Sequence, residues 1–171
     1  MRRYVFVLLA AALLAVPTAT FAGFQTGDYE LTLNGSGAGD NNFDNNFFSL
    51  QGSLGYFFSE VMEGLVRQEA SFASSEDDSS WSGSTSFGAD LHFDLQTFVP
   101  FVGASLGYVY GEGVDDTWFA SPEGGVKLFV NATTFIQGLV QYQWFFNSAS
   151  QAGNNFDDGR FVYVLGLGFR W

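Results

Sequence analysis

From Gly27 onward the chain alternates large apolar residues with small or polar ones, and this period of two persists through eight segments. They are read at 27–35, 47–58, 64–73, 81–93, 98–110, 118–130, 135–146 and 160–171. In the last, Phe161, Tyr163, Leu165, Leu167, Phe169 and Trp171 alternate with Arg160, Val162, Val164, Gly166, Gly168 and Arg170. A strand turns successive side chains to opposite faces, so such a pattern predicts an all-β chain with one apolar face. The segments are longer than the ~5–6 residues usual in a soluble sheet. They match the roughly 9–11 residues that a tilted strand needs to cross a bilayer.

The apolar face of all eight segments carries no Lys, Arg, Asp, Glu or His; Gln68 is its blemish. The opposite face carries Glu30, Arg67, Glu69, Asp90, His92, Glu123, Lys127, Arg160 and Arg170, padded by Ser, Gln and Gly. On a lipid-facing wall a basic residue at mid-bilayer costs roughly 2–4 kcal/mol, which explains a face free of charge. A soluble lipocalin-like barrel would reverse the two faces. Aromatic placement separates the alternatives. Trp81, Tyr110, Trp118 and Trp144 gather with Phe48, Phe72, Phe146 and Phe161 at one end of the segments. Tyr29, Tyr56 and Phe93 gather with Phe58, Phe169 and Trp171 at the other, with Leu, Val, Ala and Gly between. Two aromatic bands around an aliphatic one are the girdles of the two membrane–water interfaces.

The connections alternate in length. "SEVME" (59–63), "DLQT" (94–97) and "NATT" (131–134) are short, whereas 36–46, 74–80, 111–117 and 147–159 are polar and mostly longer. Short turns at one end and larger loops at the other give an eight-stranded antiparallel up-and-down transmembrane β-barrel, with both termini at the turn end. Pro122 falls inside the sixth segment, where a strand paired on both sides has no place for it; a bulge there is the expected remedy.

Met1-Arg2-Arg3, the apolar run Val5–Val16 and the small residues Thr20 and Ala22 have the layout of a secretory signal peptide. Residues 1–22 are therefore expected to be cleaved, leaving 23–171 as one barrel domain. The absence of cysteine removes any disulfide framework. With 18 acids against 6 bases, nucleic acid is not an expected partner.

The eight segments and the final "GLGFRW" resemble the small OmpA/OmpX-type outer-membrane β-barrel proteins, over essentially all of 23–171. In that family the last strand ends in a signal read by the barrel-assembly machinery. Gly166, Phe169 and Trp171 fit it, while its leading polar position holds Val164. The resemblance implies the outer membrane of a Gram-negative-type cell, a lipid and lipopolysaccharide environment, and a barrel-only chain, expected to be a monomer.

An eight-stranded barrel encloses a lumen that side chains can fill. Arg67, Lys127 and Arg160 are expected to pair across it with Glu69, Asp90, Glu123 and Glu30, giving a plug rather than an open path. A narrow low-conductance channel is the alternative. His92 invites comparison with the lipid A deacylases, similar barrels with a Ser-His-Glu set near the outer leaflet, but it lies at the turn end, out of reach of that leaflet. No enzyme, cofactor or resident metal is expected. Ten of the 18 acids lie in the loops: Asp40, Asp44, Glu76, Asp77, Asp78, Glu112, Asp115, Asp116, Asp157 and Asp158. "DNNFDNN" departs from a calcium loop, with Asn45 where glycine belongs and no Glu at the twelfth position. The loop acids read as solvated surface, with recruitment of divalent cations as the alternative. The expected role is structural or surface interaction through these loops.

Overall fold

The computed structural model describes residues 23–39, 46–74, 79–112, 116–146 and 159–171. The strands are β1 (Tyr29–Gly39), β2 (Asn46–Phe57), β3 (Met62–Ser74), β4 (Ser79–His92), β5 (Phe98–Gly111), β6 (Thr117–Phe129), β7 (Thr134–Phe146) and β8 (Arg160–Arg170). Each pairs antiparallel with its sequence neighbours, and β8 returns to β1, closing the barrel. Where the ladders run, closure satisfies backbone donors and acceptors as strands crossing a membrane require; the β1–β8 ladder covers Glu30↔Arg170 to Gly35↔Leu165. The expected leader at 1–22 lies outside the described residues, as do Asp40, Asp44, Glu76, Asp77, Asp78, Asp115, Asp157 and Asp158 and hence the calcium-like segment.

The alternation sorts the side chains by face. Leu106, Val140 and Leu165 stand on the exterior, Leu165 being 65% exposed, whereas Arg67 and Glu123 are buried in the interior. The apolar residues here are outside and the charges inside. Gln68, the one polar residue noted on the apolar wall, is satisfied locally: its amide donates to the Tyr110 hydroxyl at 2.7 Å and accepts from Thr85 Oγ1 at 2.8 Å. The aromatic bands also lie on this wall. Tyr29 packs on Tyr56 and Trp171 at the turn end, and Trp81 meets Tyr110 and Trp118 meets Tyr108 at the loop end.

Short turns are fixed by side chains that accept from the backbone. Asn131 Oδ1 receives the N–H groups of Thr133 at 2.9 Å and Thr134 at 2.8 Å, and the Thr133 hydroxyl at 3.1 Å. This makes the sequon-like "NAT" a turn motif. Replacing Asn131 with Ala removes all three bonds and is expected to lower stability by about 1–2 kcal/mol, read from the urea midpoint of the refolded protein in lipid.

Three sequence expectations are corrected. Pro122 is accommodated without a bulge. Between Ala120↔Trp144 and Glu123↔Gln141 both strands advance three residues, so the register is unchanged and only the ladder positions at Ser121 and Pro122 are missing. On its other side Pro122 stays in register with Ala104. Losing two local pairs avoids a shift that would reverse the faces of the rest of the strand. Glu63, assigned above to a turn, belongs to β3 and is buried inside the barrel. The first connected stretch is also shorter than the sequence suggested, because 36–39 continue β1.

Candidate functional site

The interior is filled in tiers from the turn end upward. At the bottom Phe24, Phe57, Val99, Phe129 and Phe135 form a buried apolar cluster, with Phe24 stacked on Phe57 at 4.3 Å between centroids. Phe24 precedes β1 and reaches the lumen from outside the sheet. The opposing wall makes room for the cluster with a missing side chain: a methyl group on Gly168 would collide with the Phe135 ring. This aromatic floor was not foreseen. Its only sequence signal is that Phe57, Phe129 and Phe135 stand on the polar-face phase of their strands.

Above the floor Lys127, only 1% exposed, donates from Nζ to Glu30 Oε1 at 2.6 Å, Glu30 Oε2 at 2.7 Å and Glu63 Oε2 at 3.1 Å. The same ammonium lies 5.3–5.7 Å from the centroids of Phe24, Phe57, Phe101 and Phe135. Ring faces carry negative potential, so they add to the two carboxylates in holding a charge removed from water. His92 Nε2 sits 3.4 Å from Glu63 Oε2, among the rings of Phe24, Phe57 and Phe101. Counting back by two from Arg67 reaches Glu63, so the phase of β3 contained the signal for it.

The second tier centres on Arg67. Its guanidinium forms a two-pronged pair with Glu123, Nη1 to Oε2 at 2.7 Å and Nη2 to Oε1 at 2.6 Å, and Nη2 lies 3.5 Å from Asp90 Oδ2. Gln141 Nε2 donates to Glu123 Oε2 at 2.6 Å, and the Ser105 hydroxyl reaches the same oxygen at 3.3 Å. The planar fork of arginine matches a carboxylate with two parallel bonds, and extra donors offset its desolvation. The partners come from β3, β4, β5, β6 and β7, and the Arg67–Glu123 pair bridges the lumen from β3 to β6.

The third tier is looser. Glu69 Oε1 accepts from the hydroxyls of Ser49 at 2.6 Å and Ser71 at 3.0 Å, while Asn34 Nδ2 donates to Gln51 Oε1 at 3.0 Å. Arg160 donates from Nε to Gln143 Oε1 at 3.0 Å and lies 5.0 Å from the Phe145 ring centroid. Among the described residues neither Glu69 nor Arg160 forms an ion pair, in contrast to the pairing expected from sequence. The reason is position: Glu69 has serine neighbours within reach, and Arg160 stands at the loop end of the shortened β1–β8 contact. Among the described residues the charges around Arg67 and those around Lys127 thus form two separate clusters instead of one network. Arg170, at the turn end, lies 3.7 Å from Asp28 Oδ2 and donates to the Ala132 carbonyl at 3.1 Å.

Gly166, Phe169 and Trp171 of the terminal signal stand at the turn end of β8, with Phe169 and Trp171 on the exterior. The Trp171 backbone exchanges hydrogen bonds with Tyr29 at 3.0 and 3.1 Å, tying the last residue to the first strand. The remaining girdle residues Phe93, Trp81, Trp118 and Tyr29 are exposed on the outer wall, and Tyr56, Tyr110 and Trp144 are partly exposed.

No protein-family model matches the chain, and no curated protein matches it in sequence. Solved structures do match in fold. The N-terminal β-barrel domain of Pseudomonas aeruginosa OprF superposes with a TM-score of 0.57 at 18% identity, covering 86% of this chain and 98% of that one. The Pseudomonas aeruginosa outer-membrane protein OprG gives 0.59 at 13% identity, over 88% and 99%. Neisserial surface protein A gives 0.56 at 17% identity, over 84% and 94%. With its closed ring of eight antiparallel strands, apolar exterior and ionic interior, this chain has the fold of the small eight-stranded outer-membrane β-barrels of the OmpA/OmpX type.

Proposed function

We propose that the protein is an integral barrel of the outer membrane that serves a structural or surface-interaction role and does not conduct solutes. The supporting observation is the filling of its cross-section. The Arg67–Glu123 pair spans the lumen, and Lys127 with its carboxylates and the aromatic floor lies directly below. A solute moving along the axis would have to separate both clusters, each of which would leave charges stranded in a low-dielectric interior.

The exterior supports the membrane reading, because an apolar belt this exposed is stable only against hydrocarbon. The acids of the loop side, including Glu112 and Asp116, would then face the cell exterior and present a negative surface to partners or divalent cations. His92 is enclosed at the opposite end, out of reach of a substrate at the cell surface. Export by a cleaved leader and insertion by the barrel-assembly machinery through Gly166, Phe169 and Trp171 belong to the same reading.

Planar-bilayer recording tests it. The expected trace shows no reproducible conductance steps from the purified, refolded protein. Reproducible steps that disappear on changing Arg67 or Glu123 would establish the narrow-channel alternative instead.

A further inference from the structure

The closing seam is complete only over its lower half. The β1–β8 ladder runs from Glu30↔Arg170 to Gly35↔Leu165 and stops, although β1 continues to Gly39 and β8 begins at Arg160. Over the same height β1 stays paired with β2 as far as Gly39↔Asn46, and β8 stays paired with β7 as far as Gln143↔Arg160. Each strand is therefore bonded on its far side, and across the seam the described residues provide no ladder partner. Alternate residues of a strand direct both N–H and C=O toward one neighbour, so two short rows of backbone groups face each other unpaired. The gap stands level with the loop-end aromatic band, since Gly37 pairs with Phe48 and Phe161 with Tyr142.

Two further observations converge there. On the outer wall β1 places Gly35, Gly37 and Gly39 in succession, a strip without side chains. Built onto Gly35, a methyl group would meet nothing nearer than the Ser49 carbonyl oxygen at 3.9 Å. Beside that strip Phe161 and Tyr163 are 62% and 68% exposed, Tyr163 the most exposed of the large apolar side chains described. Inside, a cavity of about 490 Å³ is lined by Glu69, Ser71 and Arg160 from the lumen and by Phe161 and Tyr163 from the exterior face of β8. The cavity borders residues of both faces of β8 at the height where the β1–β8 ladder is absent. Its size is that of a small-ligand site, and below it the Arg67 tier shuts the axis.

We propose that this slit and vestibule bind a single-chain amphiphile with a carboxylate head, a long-chain fatty acid. The head sits in the vestibule against Arg160, and the tail leaves through the seam along the glycine strip into the outer leaflet. Arg160 meets no carboxylate among the described residues, whereas Glu69 is occupied by Ser49 and Ser71. The positive site is thus available to an anion, and guanidinium pairs with carboxylate through two parallel bonds. Backbone N–H groups on the open edges supply further donors where water is scarce. A single tail fits a seam between two adjacent strands, bounded by aromatic rings on one side and bare backbone on the other. The inference goes beyond the loop-surface role and does not depend on it.

The test uses site-directed quenching in phosphatidylcholine nanodiscs with a nitroxide-labelled stearate. The chain has no cysteine, so Leu50→Cys, beside the glycine strip, and Val102→Cys, on β5 away from the seam, each accept one fluorophore. At position 50 quenching is expected to saturate at about one probe per protein, and at position 102 to rise only in proportion to the probe's mole fraction. Arg160→Gln weakens the saturable component about tenfold, the loss expected for a charge-assisted bond, and Gly35→Leu removes it. Arg160 lies outside the β1–β8 ladder, so its variant folds whether or not Gly35→Leu does. Proportional quenching at both positions overturns the proposal. Equal competition by stearate and by a fatty alcohol overturns the assignment of the head. Slow hydrogen exchange at residues 36–39 and 161–164 without amphiphile would mean a paired seam and would also overturn it.

Discussion

Lys127→Met lowers the stability of the folded barrel by about 3–5 kcal/mol, because it strands two carboxylates in an interior from which water is excluded. In the native protein Glu30 gives both oxygens to Nζ, and Glu63 gives one at 3.1 Å. Methionine matches the stem of lysine and fits the ring of Phe24, Phe57, Phe101 and Phe135, so the loss is one of charge compensation and not of volume. Two results separate those causes. Adding Glu30→Gln and Glu63→Gln to Lys127→Met is expected to recover most of the loss, since a neutral tier leaves no isolated charge. Glu30→Gln alone costs less than Lys127→Met, because Glu63 still faces the ammonium. Urea titration of refolding into lipid vesicles, followed by the gel shift between boiled and unboiled samples, gives both numbers. A triple variant no more stable than Lys127→Met would show that the cluster acts by packing alone.

Leu106→Arg on the exterior of β5 is expected to cost about 2–4 kcal/mol in a bilayer, the penalty of a cation in hydrocarbon near mid-depth. Leu106 is 49% exposed and pairs with Phe87 and Ala120, so the side chain has no interior partner to lose. The same substitution on a water-facing wall would be close to neutral, within about 0.5 kcal/mol. The measurement therefore reads the surroundings of the exterior directly. A Leu106→Arg protein as stable as the parent in vesicles would remove the membrane assignment while leaving the fold intact. Moving the substitution to Phe93, in the turn-end aromatic band, is expected to cost about 0–1 kcal/mol, since the arginine then reaches the interface.

The sequence by itself determined the strands, their number and the sorting of their faces. Period-two alternation is a local property: once Leu31 faces one way, Thr32 must face the other, and no distant contact is needed to know it. The exclusion of charge from one face and the gathering of Trp81, Trp118, Tyr29 and Trp171 at its ends are equally local. The phase of β3 even contained Glu63, although an apparent turn concealed it.

The tertiary structure decided which charges meet. Arg67 and Glu123 are 56 residues apart and Lys127 and Glu30 are 97 apart, and alternation assigns them all to the lumen without fixing their heights. Height follows from the stagger of every ladder around the closed barrel, a sum over eight registers that no single segment records. The same stagger leaves Glu69 to its serines, lifts Arg160 away from the acids, lets Phe24 enter beneath Lys127 and ends the β1–β8 pairing at Gly35. Periodicity assigns each side chain to a face. Register around a closed ring assigns its partner, because pairing depends on where strands far apart in sequence come level.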